Sequence, residues 1–271
     1  MKTFVKLALL GAGIFAFGQM LKPRKDKFDK IKEVMQTDFA YRGYYNNKDI
    51  PENSIPAFKR AKDNKKGVFT NLILTQDNVP VLIARDNVTK MLGKSIDIES
   101  LNYDELSDFK LLNTECNIPT LSELFELVAG KVPIYIRIER YKKHCASTIL
   151  DSVCALLDNY DGEVIFDTSE EKLLKKRFLQ RPDLIFGKVL SARTKNGISN
   201  DILANFLKRH LLTNSITAPD FISCQFSDRR AKALNWCRDI YGIPVFYWPI
   251  RSFDEYNIAS DDGAGIIACE Y

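Results

Sequence analysis

From residue 38 onward, short apolar runs rich in β-branched and aromatic residues alternate with longer amphipathic stretches. The short runs predict strands, and the stretches with apolar residues three and four apart predict helices. The predicted strands are Phe39–Tyr41, Val68–Leu74, Val79–Ile83, Val132–Ile138, Val164–Phe166, Leu184–Phe186, Phe221–Ser223, Pro244–Tyr247 and Gly265–Ala268. The predicted helices are Ser54–Asp63, Tyr103–Leu111, Leu121–Val128, Ala146–Asn159, Glu170–Gln180, Asn200–Leu211, Asp228–Tyr241 and Phe253–Ser260. About eight strand–helix units in residues 38–271 favour a closed (β/α)8 TIM barrel over a doubly wound sheet.

The N-terminus has a different pattern. Residues 7–21 are almost wholly apolar and follow two lysines, and a helix from Thr3 to Leu21 would be roughly 28 Å long, enough to cross a bilayer. A basic run, Lys22–Lys32, comes next, and this excess of positive charge after the apolar stretch predicts that the following domain stays on the cytoplasmic side. The sequence therefore predicts a single-pass cell-membrane anchor at 1–21, a basic juxtamembrane linker at 22–37 and one barrel domain at 38–271. The small residues Ala16 and Gly18 leave open the alternative of a cleaved signal peptide and a secreted domain.

Composition narrows the possible functions. The chain is 45% hydrophobic with a net charge of +4, which excludes a disordered protein. Its 39 basic and 35 acidic residues are interleaved, so no nucleic-acid partner is expected. Two histidines are too few for a zinc site built on several of them, and the six cysteines form no C-x-x-C pair. Dinucleotide and P-loop motifs are absent from the sequence.

Six fragments at the ends of the predicted strands occur in a recognisable order. They are Tyr41-Arg42-Gly43 with Pro51-Glu52-Asn53-Ser54, the strand Gly67 to Asp77, Val79 to Asp86, Ile118 to Leu124, Val132 to Glu139, and the terminal runs Gly242 to Trp248 and Gly263 to Ile267. In order and spacing this series resembles the glycerophosphodiester phosphodiesterase family over residues 38–271. It is most similar to the membrane-anchored bacterial branch, which has an apolar N-terminal segment before its barrel.

The resemblance implies a reaction and also shows what is missing for it. The family releases glycerol 3-phosphate from glycerophosphodiesters with Ca²⁺ or Mg²⁺, two histidines and carboxylate metal ligands. The positions of the two histidines carry Tyr41 and Ala84 here, and the metal positions carry Phe69, Asn71 and Arg137. Hard cations need several oxygen ligands, so we expect no metal, no other cofactor and a catalytically inactive pseudoenzyme.

The remaining polar residues suggest what such a barrel could do instead. The candidates for binding a phosphate or lipid headgroup are Arg42, Arg85, Arg137 and Trp248. Glu52 is expected to support Arg42, and Glu139 is expected to pair with Arg137 or Arg42 as an internal ion pair. Three functions stay open: a membrane-anchored pseudoenzyme that binds an anionic ligand or a protein partner, an active phosphoric diester hydrolase, and a structural membrane-surface module with a collapsed pocket.

Overall fold

A computed structural model of the chain describes residues 18–139, 141–190 and 211–269, and its strands form one sheet. The strands are β1 (Phe39–Tyr41), β2 (Gly67–Leu74), β3 (Pro80–Leu82), β4 (Ile134–Ile138), β5 (Val164–Thr168), β6 (Ile185–Leu190), β7 (Phe221–Gln225), β8 (Val245–Ile250) and β9 (Gly265–Ala268). Eight of them are parallel, and β1 closes the sheet by pairing with both β2 and β9. The predicted (β/α)8 barrel is therefore confirmed. The short β3 lies antiparallel against the end of β2 and is an addition to the eight.

The helices lie between the strands. They are α1 (Phe28–Val34), α2 (Ile55–Asp63), α3 (Val88–Leu92), α4 (Tyr103–Ser107), α5 (Leu121–Val128), α6 (Ala146–Leu157), α7 (Glu171–Gln180), α8 (Asn214–Thr217), α9 (Lys232–Tyr241) and α10 (Phe253–Asp261). Local chemistry sets their starts: the Ser54 hydroxyl accepts a hydrogen bond from the Ala57 amide at 3.4 Å. Thr120 and Glu123 form a reciprocal capping box at α5.

Aromatic side chains fill the interior of the barrel. Phe39, Tyr135, Phe221 and Phe246 point inward from four strands and pack edge to face, with ring centroids 5.1 to 6.0 Å apart. Rings of this size need glycine opposite them: a Cβ on Gly187 would lie 2.1 Å from the Phe221 ring. The interior is therefore a packed core, and polar chemistry is left to the end where the strands finish, here called the mouth.

The opposite end of the barrel, here called the bottom, is closed by α1. Ile31 and Val34 of this helix are buried at 0% and 2% exposure in the same cluster as the interior aromatic residues. Residues 28–34, inside the predicted juxtamembrane linker at 22–37, therefore pack as part of the barrel, because their apolar residues recur at helical spacing and belong to the core.

Several predicted features fall outside the described residues. Most of the predicted N-terminal anchor and most of the predicted helix Asn200–Leu211 are among them. Over the described ranges, the structure has no helix with the length and apolar character needed to cross a bilayer.

Candidate binding site at the barrel mouth

The first strand ends in a tight turn that aims Arg42 at the mouth. Arg42 and Gly43 both have positive φ, 58° and 76°. A side chain at position 43 would clash, since a Cβ there would lie 2.8 Å from the backbone of Ala57 in α2. The amide of Asn53 donates to the Arg42 carbonyl at 2.9 Å, so the turn is held against the loop before α2.

Arg42 is buried, with 6% of its surface exposed, and it is held by carboxylates. Its Nη1 donates to Glu52 Oε1 at 2.6 Å and its Nη2 donates to Asp86 Oδ1 at 3.1 Å. Asn87 Nδ2 donates to the same Glu52 oxygen at 2.8 Å. Burial alone would lower the pKa of Arg42, but the neighbouring Tyr41, Glu52 and Asp86 together raise it, so the guanidinium stays charged. Glu52 thus lies where it was expected, beside Arg42.

Arg137 comes from the end of β4 and forms the most buried polar network of the mouth. Its Nε and Nη2 donate to the two oxygens of Asp167 at 2.9 and 2.6 Å, and Nη2 also donates to Ser223 Oγ at 2.9 Å. The Tyr135 hydroxyl donates to Asp167 Oδ2 at 2.8 Å. Burial would lower the pKa of Arg137, yet Asp167 outweighs it and the pKa is raised. The prediction that Glu139 pairs with Arg137 is therefore wrong, because Asp167 lies beside Arg137 in register on β5.

Glu139 has a different partner. Asn71 Nδ2 donates to Glu139 Oε1 at 2.7 Å. No ion pair joins Glu139 to Arg42 in the described part of the chain, where Arg42 is held by Glu52 and Asp86. Burial raises the pKa of Glu139, although Arg137 and Asn71 oppose this. Glu139 is therefore tied to the mouth by an amide rather than by a cation.

A row of aromatic and arginine side chains crosses the mouth. The Tyr41 and Phe69 rings stack with centroids 5.2 Å apart, and the Arg42 Cζ lies 5.0 Å from the Tyr41 centroid. The Arg137 guanidinium lies between two rings, 5.0 Å from Phe69 and 3.8 Å from Trp248. Burial raises the pKa of Tyr41, so its hydroxyl stays neutral at physiological pH. We call these five residues the arginine–aromatic row: Tyr41, Arg42, Phe69, Arg137 and Trp248.

Among the described residues, no contact joins Arg85 to the arginine–aromatic row. Its Nη2 donates to the buried Glu99 at 2.8 Å, in the segment after β3. It lines a separate cavity of about 10 Å³ with Glu99, Glu139 and His144, room for about one water molecule. Ala84, just before it, is fully buried and offers no titratable group.

A divalent cation does not fit the residues present. Phe69 has no donor atom, and Asn71 offers one neutral oxygen, Oδ1, which is buried without a partner. The third of the positions where the family resemblance places a metal ligand carries the Arg137 guanidinium, whose positive charge would repel a metal ion. Over the described ranges, no group of three or more histidine, cysteine, aspartate or glutamate side chains is placed to hold a metal.

Three nitrogen donors of the row have no partner among the described residues. Arg42 Nε and the Trp248 indole Nε1 are buried without one, and Arg137 Nη1 makes no hydrogen bond to a described residue. A buried donor left unpaired costs about 1–3 kcal/mol. The mouth therefore offers N–H groups to an acceptor while its carboxylates are engaged by arginine or amide.

Comparisons with known proteins agree with this architecture. Residues 42–162 match the model of the glycerophosphoryl diester phosphodiesterase family. No curated protein matches the chain. Among solved structures, a glycerophosphodiester phosphodiesterase from Parabacteroides distasonis is 19% identical with a TM-score of 0.63, covering 86% of this chain and 92% of that one. A phosphodiesterase from Oleispira antarctica, in complex with the product sn-glycerol-3-phosphate, is 16% identical with a TM-score of 0.67 and the same coverage. A glycerophosphodiester phosphodiesterase from Thermotoga maritima is 20% identical with a TM-score of 0.61, covering 86% and 94%.

Proposed function

We propose that the chain is a member of the glycerophosphoryl diester phosphodiesterase family without metal-dependent hydrolysis, and that its barrel mouth binds a phosphate-type anion. The observation that carries the proposal is the arginine–aromatic row. It replaces oxygen ligands for a cation with N–H donors for an anion, and three of those donors lack a partner among the described residues.

The loss of hydrolysis is supported by what the mouth lacks. Phosphodiester hydrolysis in this family needs a base and an acid on opposite sides of phosphorus. Position 84 is a buried alanine, and the Tyr41 hydroxyl has a pKa raised by burial, so it is not an effective base. Arg137 is fixed by Asp167 and Ser223 at the position where the family resemblance places a metal carboxylate.

Anion binding is supported by the geometry of the two guanidiniums. Glu52 and Asp86 hold Arg42, and Asp167 holds Arg137, which fixes the plane of each guanidinium and leaves part of its donor set free. Planar guanidiniums fixed in this way bind tetrahedral oxyanions well, since little side-chain freedom is lost on binding. A phosphate or a phosphorylated headgroup supplies the acceptor oxygens that Arg42 Nε and Trp248 Nε1 lack.

A turnover assay tests the first half of the proposal. The purified full chain is incubated with glycerophosphocholine and with glycerophosphoethanolamine, in Ca²⁺, in Mg²⁺ and in EDTA. We expect no release of glycerol 3-phosphate above a blank without protein. Release that disappears in EDTA would instead establish the alternative, an active phosphoric diester hydrolase.

Tryptophan fluorescence tests the second half, because the chain has two tryptophans and only Trp248 is in the row. In the variant Trp236→Phe, emission from Trp248 is followed during titration with inorganic phosphate, glycerol 3-phosphate or neutral glycerol. We expect a saturable change with the two anions and none with glycerol. Arg42→Gln should weaken binding about tenfold or more, the usual effect of losing a charge-assisted hydrogen bond.

Arg85→Gln is the matched control, because Arg85 is bound to Glu99 instead. It should leave the anion titration unchanged. If no anion changes the emission of Trp248, the mouth does not bind anions, and the result would favour a structural module with a collapsed pocket. Equal weakening by both variants would show a general charge effect rather than a site.

We also propose that residues 1–21 tether the domain to the cell membrane with the barrel on the cytoplasmic side. The support is the sequence: an apolar stretch at 7–21 with the larger excess of basic residues on its C-terminal side. Carbonate extraction of membranes should leave the full chain in the pellet, and external protease should not digest the barrel in intact cells. Recovery of a shortened chain in the medium would instead support cleavage and secretion.

A further inference from the structure

The last residues of the apolar N-terminal segment dock against the bottom half of the barrel. The Tyr241 hydroxyl donates to the Gly18 carbonyl at 2.5 Å, and the Asn214 amide donates to the Leu21 carbonyl at 3.3 Å. The Leu21 side chain is fully buried in the core cluster that includes Cys237 of α9. Residues 18–21, where the apolar stretch of the sequence ends, therefore meet the barrel between α8 and α9.

Exposed apolar side chains surround this point. Trp236 and Ile240 are four residues apart on α9 and so share one helix face, with 38% and 62% of their surfaces exposed. Leu179, at the end of α7, is 77% exposed, and Ile216 on α8 is 54% exposed. The helices α7 and α8 pack on each other, and α7 and α9 both end at the bottom of the barrel. We call this set the basal patch: Met20, Phe178, Leu179, Ile216, Trp236 and Ile240.

Basic residues lie beside the basal patch. Three acidic residues at this end are each paired with an arginine: Asp26 with Arg24, Asp183 with Arg181 and Asp239 with Arg238. Four exposed lysines near the patch make no ion pair to a described residue. They are Lys22 and Lys25 beside the docked segment, and Lys172 and Lys175 on the face of α7 that also carries Leu179. Apolar and aromatic side chains flanked by lysine are typical of protein surfaces that lie in the interface of an anionic bilayer.

We propose that the basal patch is a second contact with the membrane, which seats the barrel bottom-down on an anionic lipid surface. Two observations select lipid as the occupant: residues 18–21, which end an apolar stretch of the sequence, dock beside α9, and exposed lysines that could meet anionic headgroups flank the patch. In this orientation the mouth opens away from the bilayer. The proposal goes beyond the anion site and does not depend on it.

Trp236 is a built-in probe for this contact. In the variant Trp248→Phe, the full chain carries Trp236 as its single tryptophan. The protein is bound to vesicles of phosphatidylcholine with phosphatidylglycerol, and its emission maximum, iodide quenching and quenching by brominated lipid are measured. We expect a blue shift, at least twofold weaker iodide quenching and strong quenching by brominated lipid. Because residues 18–21 dock beside α9, substitutions in the patch itself are needed to separate its contact with lipid from attachment through residues 1–21.

Two pairs of substitutions separate the patch from general hydrophobicity. Leu179→Glu with Ile240→Glu should abolish the blue shift and the brominated-lipid quenching. The control pair, Phe253→Glu with Ile258→Glu, changes exposed apolar residues of α10 and should leave both signals as they were.

Three results would overturn the proposal. The first is a Trp236 emission that is the same with and without vesicles. The second is equal loss of signal in the control pair. The third is a blue shift that appears without lipid and grows with protein concentration, which would assign the patch to contact between two copies of the chain.

Discussion

The buried pair between Arg137 and Asp167 should stabilise the barrel only as long as both partners are present. Asp167 is fully buried and accepts two hydrogen bonds from Arg137 and one from Tyr135. Arg137→Met removes two of these three and leaves a buried carboxylate without a counter-charge. Breaking a buried pair in this way costs about 3–5 kcal/mol. The cation–π contact with Trp248, 3.8 Å away, is lost as well, so we expect the upper part of that range.

Removing both partners should cost much less. In Arg137→Met with Asp167→Leu, apolar side chains replace the pair and no charge is left buried, so we expect stability within about 2 kcal/mol of wild type. The losses of unfolding free energy in the two single variants should therefore add up to about 2 kcal/mol or more above the loss in the double variant. Arg181→Met is a surface control, because the Arg181–Asp183 pair is partly exposed and should contribute less than about 1 kcal/mol.

The free energy of unfolding is measured for each variant by urea titration, followed by far-UV circular dichroism at constant pH. If Arg137→Met were as stable as wild type, the guanidinium would not be compensating Asp167. If the two single effects simply added in the double variant, the two groups would not be coupled. Either result would refute the view that Arg137 and Asp167 form a stabilising buried ion pair.

Three further variants test the effects of burial, hydrogen bonding and packing elsewhere in the barrel. Because burial raises the pKa of Glu139, the folded state holds a proton that the unfolded state releases, and wild-type stability should fall as pH rises above about 4.5. Glu139→Gln should remove this fall, so that thermal melts of the two proteins agree at acid pH and diverge towards neutral pH. The hydrogen bond with Thr148 lowers the pKa of the exposed Cys145 to about 7, so iodoacetamide should label it half-maximally near that pH, and Thr148→Val should move the midpoint upward in peptide mass spectra. Gly187→Ala should lower stability by about 1–3 kcal/mol in urea, because its Cβ would meet the Phe221 ring; an unchanged midpoint would show that the interior adapts.

Much of the barrel could be predicted because its periodicities are strong. Leu121–Val128 and Gly265–Ala268 have the bounds in the structure that their apolar patterns predict. Local capping is a weaker signal at α7: Glu170 precedes this helix without a side-chain cap, and its amide donates to the Thr168 hydroxyl. The sequence pattern does not predict helix α1, because its charged residues resemble a solvated basic segment. Its apolar residues are buried only because they cover the bottom of the barrel, which strands distant in sequence form.

The mouth was harder to predict because its partners are brought together by strand register. The predicted strand ends at Phe166 and so excludes Asp167. Asp167 is two residues after Ile165 on β5, so both side chains point into the barrel. Glu139 was instead paired with Arg137 because the two are close in sequence. Spacing along one strand shows which side chains share a face, but not which side chain on the next strand is at the same height.

The Arg137 network also bears on how a metal site could be introduced at the barrel mouth. Restoring a carboxylate at position 137 would place it against Asp167, which now accepts two hydrogen bonds from Arg137, so two buried negative charges would face each other. Restoring histidine at 41 would remove the ring that stacks on Phe69, and a glutamate at 69 would enter a fully buried position. The side chains present at these mouth positions therefore support one another as a packed and charge-balanced set. Reversal would have to include Asp167, which the family resemblance does not single out.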